Sequence, residues 1–304
     1  MSRVCRRFNL KVSIECVHCL LQRAVNQTRL ATDDPELQMQ VMMAMTRFLA
    51  DNLSPDSVPS HIGTDRDLLV QRMTGKDPYA ELKHKSNQMA LELLPDLQRL
   101  VEELGDEQAR FRRAALVAAA ANAIEFDVSG REFDLEELRD ILARVEHDLA
   151  IDEVDAFREL CQNSHEVLYL MDNAGEVVLD MVLISEIRKL GPRVIAYVKG
   201  GPVLNDATME DALEVGLDRY ADEVRNTGAA AIGVNLERNS QEFREALFSA
   251  ELIVAKGMGN YESMTEFDPP CPIVHILRTK CEPVARHVGV PRNKNVVLIR
   301  RPAV

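Results

Sequence analysis

Two rhythms of apolar and polar residues divide the chain. From Ile14 to about Cys161 apolar positions recur at three- and four-residue steps, as in PELQMQVMMAMTRFLADNL, which predicts amphipathic helices. Asp33-Asp34-Pro35 gives that segment a cap and a proline at its first helical position. DPYAELKHKSNQMALELLPDLQRLVEEL opens in the same way at Asp77-Pro78 and carries Pro95, where a kink is expected. The alanine-rich QARFRRAALVAAAANAIEF predicts a tightly packed central helix, and DLEELRDILARVEHDL and DEVDAFRELCQ complete a helical bundle.

From Glu166 the rhythm shortens. EVLYLM, RVIAYVK, AAAIGV, ELIVAK, PIVHIL and NVVLIR are apolar on both faces and alternate with amphipathic segments. Such runs predict a mainly parallel, doubly wound sheet covered by helices on both sides. The fold class is therefore α/β, with a helical domain at 1–163 and a three-layer α/β/α, Rossmann-like domain at 164–304. No flexible linker separates the halves, so they are expected to pack closely.

Composition narrows the functions open to this fold. The net charge of −13 argues against nucleic acid as a partner, because phosphate backbones call for clustered Lys and Arg. No apolar run has the length of a membrane span, and MSRVCRRFNLKVSIEC has positive charge without the apolar core of a secretory signal. The six cysteines in so long a chain do not form a disulfide-scaffold pattern. A cytoplasmic protein with reduced thiols, no membrane partner and no nucleic-acid partner is expected; oligomeric state is not legible.

In open α/β sheets ligands bind beyond the carboxyl ends of the strands. EVLYLM is followed by Asp172-Asn173-Ala174-Gly175-Glu176, and RVIAYV by Lys199-Gly200-Gly201-Pro202 and then Asn205-Asp206. ELIVA is followed by Lys256-Gly257-Met258-Gly259-Asn260-Tyr261-Glu262, and IVHIL by Arg278-Thr279-Lys280. Asp172 and Asp206 on adjacent strand ends can converge on one hard divalent cation, with Asn173 as a neutral oxygen ligand. Such a cation polarises a phosphoryl oxygen, while Lys256, Lys280 and the helix opening near Gly175 supply positive charge to a phosphate. Each acid-amide pair is also a ready helix cap, and glycine-rich turns can be turns only.

Cys16-Val17-His18-Cys19 at a helix start is a weak signal for a second metal site or a redox pair, with Cys281 and His18 as completing groups; otherwise it is packing. Cys5, Cys161 and Cys271 read as inert, the methionines of MQVMMAMTRF as core, and His275 as a core histidine inside a strand.

On ECVHCLLQRA, AAANAIEFDV, DNAGEVVLD, VKGGPVLNDATMEDA, AKGMGNYES and RTKCEPVA, in this order, the chain resembles the metal-dependent damage-control phosphatases, a former domain-of-unknown-function group. The paired cysteines resemble its archaeal and bacterial branch. The resemblance implies a helical domain joined to an α/β/α domain, and hydrolysis of a small phosphorylated metabolite, damaged or a side product, with Mn, Mg, Co or Ni. It places metal ligands at Asp172, Asn173 and Asp206. It places a substrate loop at Gly257 to Glu262, with Asn260 and Tyr261 nearest the substrate, and a phosphate-binding lysine at Lys280. Glu176 and Asn122 match positions that contact substrate, whereas Glu125 stands where the family pattern often has aspartate. The implied mechanism is attack by a metal-activated water oriented by Asp172 or Asp206, or a phosphoaspartate on Asp172.

Two readings of other classes use the same cleft. A methyltransferase would need a glycine-rich turn after the first strand, which is missing here. A non-enzymatic metabolite-binding module would keep the lysines but has no use for two converging carboxylates.

Overall fold

The computed structural model describes residues 9–121 and 135–302, with backbone alone for 120 and 135–139. Asn122 and Glu125 lie outside the described residues, as does Cys5. Seven strands form one sheet: β1 (Leu149–Asp152), β2 (Glu166–Leu170), β3 (Arg193–Val198), β4 (Glu223–Asn226), β5 (Ile253–Lys256), β6 (Ile273–Arg278) and β7 (Asn295–Arg300). Their order is β1-β7-β6-β5-β2-β3-β4. Every pairing is parallel except β6 with β7. Along the chain the sheet grows outward from β2 through β3 to β4, then restarts on the other side of β2 with β5 and β6. The crevice between β2 and β5 is thus the topological switch point, where α/β sheets hold their ligands.

Strand periodicity sends alternate side chains to opposite layers. Val167, Tyr169 and Met171 join one core with Val194, Ala196, Val254 and Val274. Leu168 and Leu170 join another with Ile195, Tyr197, Phe243 and Leu247. The first layer is closed by α8 (Glu176–Lys189), on which α4 (Ala80–Glu102) and α5 (Glu107–Ala120) pack. Helix α8 is buried nearly all round, in keeping with its apolar composition. Ala114, Ala115, Ala118 and Ala119 of α5 are buried, and their small side chains let α5 lie close to α8. Helix α4 runs on through Pro95 as one continuous helix.

The helical half does not form a single bundle. Helices α1 (Ile14–Ala31), α2 (Pro35–Asn52) and α3 (Pro59–Thr74) have their own core of Leu20, Ala24, Val41, Met45, Leu49, Ile62 and Val70. Asp34 caps α2 by accepting from Glu36 N at 2.9 Å, with Pro35 following as expected. Of the α2 methionines, Met45 is buried, whereas Met39 and Met43 are exposed. Helices α4, α5, α6 (Leu135–His147) and α7 (Val154–Gln162) contribute instead to the same core as the sheet. The sheet also takes β1 from this half, so a division at residue 163 cuts through a shared core.

One expected strand is displaced. AAAIGV is irregular, and the edge strand is the preceding β4, Glu-Val-Arg-Asn. Gly228 and Gly233 hold φ of 74° and 68°, which an extended strand does not tolerate. At Gly233 a Cβ would lie 2.2 Å from the Gly259 carbonyl oxygen, so the loop passes tightly over the helix that follows β5. Helix α3 holds this loop from above: Ile232 N donates to Thr64 Oγ1 at 2.9 Å, and His61 Nε2 lies 3.1 Å from Val234 O. Among the described residues no helix is long and apolar enough to cross a membrane.

Candidate metal and phosphate site

The end of β2 does not simply turn into α8. Residues 172–174 pair antiparallel with the returning loop after β3: Ala207 N donates to Asp172 O at 2.8 Å, Ala174 N to Asn205 O at 2.9 Å, and Asn173 and Asp206 form a bridge. That short ladder sets Asp172 beside Asp206, although they are far apart in sequence. The loop is closed at its base by Lys199 N on Ala207 O at 2.8 Å and carries Leu204 at a φ of 46°. A non-glycine residue in that region is strained, and the surrounding contacts hold it there.

Both carboxylates are buried, Asp172 at 9% exposure and Asp206 at 3%. Burial pushes Asp172 well above the usual carboxylate range, and Glu176 and Asp206 push it the same way. Burial raises Asp206 to about 6 against the attraction of Lys199. Lys199 Nζ stands 3.5 Å from Asp206 Oδ2, 3.5 Å from Asn260 Oδ1 and 3.3 Å from Gly233 O. Asp206 Oδ2 has no hydrogen bond. Asn173 Nδ2 donates to Asp172 Oδ2 at 3.3 Å and Glu176 Oε1 at 2.8 Å, which leaves its amide oxygen as an acceptor.

Helix α11 (Gly257–Met264), which follows β5, starts against the same carboxylate. A Cβ on Gly257 would fall 1.8 Å from Asp172 Oδ2, and its φ is 76°. Only glycine lets the backbone approach the acid so closely. Asn260 ties α11 to the ends of β2 and β5 by donating to Met171 O at 3.1 Å and Lys256 O at 2.8 Å.

Several expected residues are placed otherwise. Lys256 is fully buried and hydrogen-bonded outside the acid pair, although its charge still acts to lower Asp172: Nζ donates to Asp180 Oδ1 and, at 2.9 Å, to Ala118 O. Tyr169 adds its hydroxyl to Asp180 Oδ1 at 3.0 Å. Lys199 is the lysine that reaches Asp206, and its place directly after β3 was the signal for it. Gly175 N donates to Asn87 Oδ1 of α4 at 2.8 Å, so this amide is already engaged. Asn87 and Lys83 of α4 also hold Asp211 at 3.2 and 3.0 Å, fixing the segment after Asp206. No pattern in the sequence marked these two. Tyr261 directs its hydroxyl to His287 Nδ1 at 2.7 Å in α12 (Glu282–Val288), and its ring packs edge-on against His275. Lys280 lies just past β6, half-buried, with no side-chain hydrogen bond or ion pair among the described residues. His275 is a buried, neutral core histidine whose pKa burial lowers to about 3.

The cysteines stand in no group of metal-site size among the described residues. Among the described residues no group of three or more His, Cys, Asp and Glu could hold a metal ion. Cys16, Cys19 and Cys281 are free thiols. Burial raises Cys281 to about 11, and Cys16 Sγ accepts from Ser13 N at 3.5 Å in the cap of α1. A metal at the sheet edge would therefore rest on two carboxylates and one amide, Asp172, Asp206 and Asn173. Asp206 Oδ2, buried in an acidic cluster with no hydrogen bond and only the 3.5 Å ion pair to Lys199, fits that set.

The damage-control phosphatase ARMT1-like domain profile matches residues 12–296. A damage-control phosphatase of Archaeoglobus fulgidus is 38% identical over 283 residues, covering 92% of this chain and 96% of that one. One from Pyrococcus horikoshii is 32% identical over 292 residues, covering 95% and 98%. The crystal structure of a DUF89 family protein from Pyrococcus horikoshii superposes with a TM-score of 0.85 at 31% identity, covering 97% of this chain and all, 100%, of that one. With the fold, the switch-point site and near full-length matches in agreement, the chain belongs to the damage-control phosphatase ARMT1-like domain family.

Proposed function

We propose that the chain is a metal-dependent phosphatase that hydrolyses a small phosphorylated metabolite, damaged or a side product, in the crevice over β2, β3 and β5. The observation that carries this reading is the buried Asp206 Oδ2 without a hydrogen bond, beside Asp172 and the bare backbone of Gly257. Two converging buried carboxylates are costly unless a cation or a proton compensates them. A divalent cation bound there supplies Lewis acidity to a phosphoryl oxygen and lowers the pKa of water.

The chain's own groups have separable tasks. Asp172, Asp206 and the Asn173 amide oxygen form the oxygen ligand set. Asn173 Nδ2 fixes the orientation of Asp172 and Glu176. Lys199 limits the repulsion between the acids and holds Asp206 in place. Lys280, free of side-chain partners among the described residues, supplies positive charge to a non-bridging phosphoryl oxygen. In the overall reaction water adds to phosphorus, the ester P–O bond breaks, and the departing alkoxide takes up a proton.

The test is hydrolysis of 4-nitrophenyl phosphate by metal-stripped protein with Mg²⁺, Mn²⁺, Co²⁺ or Ni²⁺ added back. Activity should return with at least one metal, and Asp172→Ala or Asp206→Ala should lower it by about a hundredfold or more while the protein stays folded. Turnover that ignores added metal, or survives both substitutions, would remove the reading.

A further inference from the structure

Helix α3, which packs on α11 and on α1, brings two arginines close together. Arg66 of α3 is 2% exposed, and its Nε donates to Gln27 Oε1 at 3.0 Å, a neutral amide. Its Nη2 is buried with no hydrogen-bond partner. The adjacent Asp67 accepts instead from Gln27, from Gln71 at 2.6 Å and from the backbone of Leu204. Arg23 of α1 is close enough to repel Arg66; burial and this repulsion together lower Arg66 to about 10. On the neighbouring α11, Glu262 is raised to about 7 by burial, with the attraction of Arg23 opposing it. Arg23 and Arg66 form no direct ion pair with a carboxylate among the described residues, although Asp67 attracts Arg66, and Arg23 is attracted by Glu262 and hydrogen-bonded to Cys19.

A buried guanidinium is costly while any of its N–H donors lacks an acceptor. Arg66, with Nη2 lacking an acceptor and the exposed Arg23 guanidinium beside it, offers donors that an anion would satisfy. The guanidinium fork matches a carboxylate or a phosphate oxygen pair. The place of this pair relative to the acid cluster is set by two connections. Helix α11 starts against Asp172 at Gly257 and reaches the arginines at Glu262. At 1.5 Å per residue that separation is on the order of 8 Å. Asp67, next to Arg66, holds the loop at Leu204, which leads directly into Asp206.

We propose that Arg23 and Arg66 form a second anion subsite, and that the substrate is a small phosphorylated metabolite with another anionic group, a carboxylate or a phosphate, at its far end. This rests on the phosphatase reading above. The phosphate to be cleaved sits over Asp172 and Asp206, and the second anion lies between α1, α3 and α11. Arg23 is the solvent-facing member and Arg66 the buried one behind it.

The experiment compares kcat/KM of the metal-supplied full chain on glucose 6-phosphate, 6-phosphogluconate and glucose 1,6-bisphosphate, with 4-nitrophenyl phosphate as the reference. At least one of the two doubly anionic substrates should be preferred over glucose 6-phosphate by about tenfold or more, and which one distinguishes carboxylate from phosphate. Arg23→Gln should erase that preference mainly through KM, and Arg23→Lys should restore part of it. Arg66→Gln should do the same where a thermal melt shows it folded; Arg23, being exposed, keeps the test open if it is not. No preference in the wild type, or a preference that survives Arg23→Gln, would overturn the proposal. If no phosphate ester is hydrolysed with any metal, the phosphatase reading has failed instead. The subsite is then read by sulfate, which should raise the melting temperature of the wild type more than that of Arg23→Gln. An equal rise in both would overturn it.

Discussion

Strands β3 and β5 both close on a lysine at the carboxyl edge of the sheet, Lys199 at 3% exposure and Lys256 at 0%. Lys199 reaches across the edge to Asp206, near Asp172, where acids outnumber their partners. Lys256 turns under the edge to Asp180 of α8 and the Ala118 carbonyl, where its charge is matched. The first environment keeps an excess of acid charge; the second ties α5, α8 and β5 together. Equal burial therefore says little about a lysine's role, and the count of opposing charges around it says a great deal.

The comparison can be broken most strongly at Lys256. Lys256→Met leaves Asp180 buried without its cation and should lower unfolding free energy by about 3–5 kcal/mol, read from urea denaturation. Adding Asp180→Asn should recover much of the loss while keeping an acceptor for Tyr169. A single-variant midpoint within the range of surface substitutions would contradict the assignment.

Lys199→Met should act on turnover instead, lowering kcat/KM for 4-nitrophenyl phosphate by about tenfold to a hundredfold, with a smaller change in stability than Lys256→Met. If the two variants lose stability equally, the contrast between the strand ends fails.

Gly257→Ala tests the close approach that separates the two environments. Its Cβ would meet Asp172 Oδ2 at 1.8 Å from a backbone at a φ of 76°. A destabilisation of about 1–3 kcal/mol, accompanied by lost turnover, is expected. A fully active variant would mean that α11 can retreat from the carboxylate.

The smallest effect is a pH slope. Glu262 is raised from 4.5 to about 7 by burial, so the folded chain binds its proton more tightly than the unfolded chain does. Its contribution to stability is present below about pH 4.5 and is lost as pH rises through about 7. Because the side chain keeps some contact with solvent, which screens the shift, the effect should stay under about 1 kcal/mol. Glu262→Gln should flatten the stability curve between those values in thermal melts; an unchanged slope would assign the titration to other groups.

Strands β2, β3, β5, β6 and β7 were legible because both their faces are buried, so their composition is continuously apolar. Edge strands β1 and β4 were not, since Leu-Ala-Ile-Asp and Glu-Val-Arg-Asn are half-exposed and read as polar. AAAIGV had the composition of a strand, but its glycine at positive φ and the covering helix α3 made it a loop. Pro95 was expected to kink a helix that instead runs through as one element.

Of the candidate site, the local grammar supplied the acids, the amide and the glycine, because each follows an apolar strand at the edge where ligands bind. The partners came from tertiary structure. The antiparallel return of residues 205–207 onto 172–174 sets Asp206 beside Asp172. Lys199 and Lys256 have the same sequence context after a strand, and only packing against Asp206 or Asp180 separates them. Arg23, Arg66, Asn87 and Lys83 lie on amphipathic helices, where a polar residue usually marks a solvated face. The partners they meet depended on how α1, α3 and α4 pack. Periodicity records whether a side chain is buried, whereas the charges it meets there are contributed by segments distant in sequence, and only the folded chain brings those together.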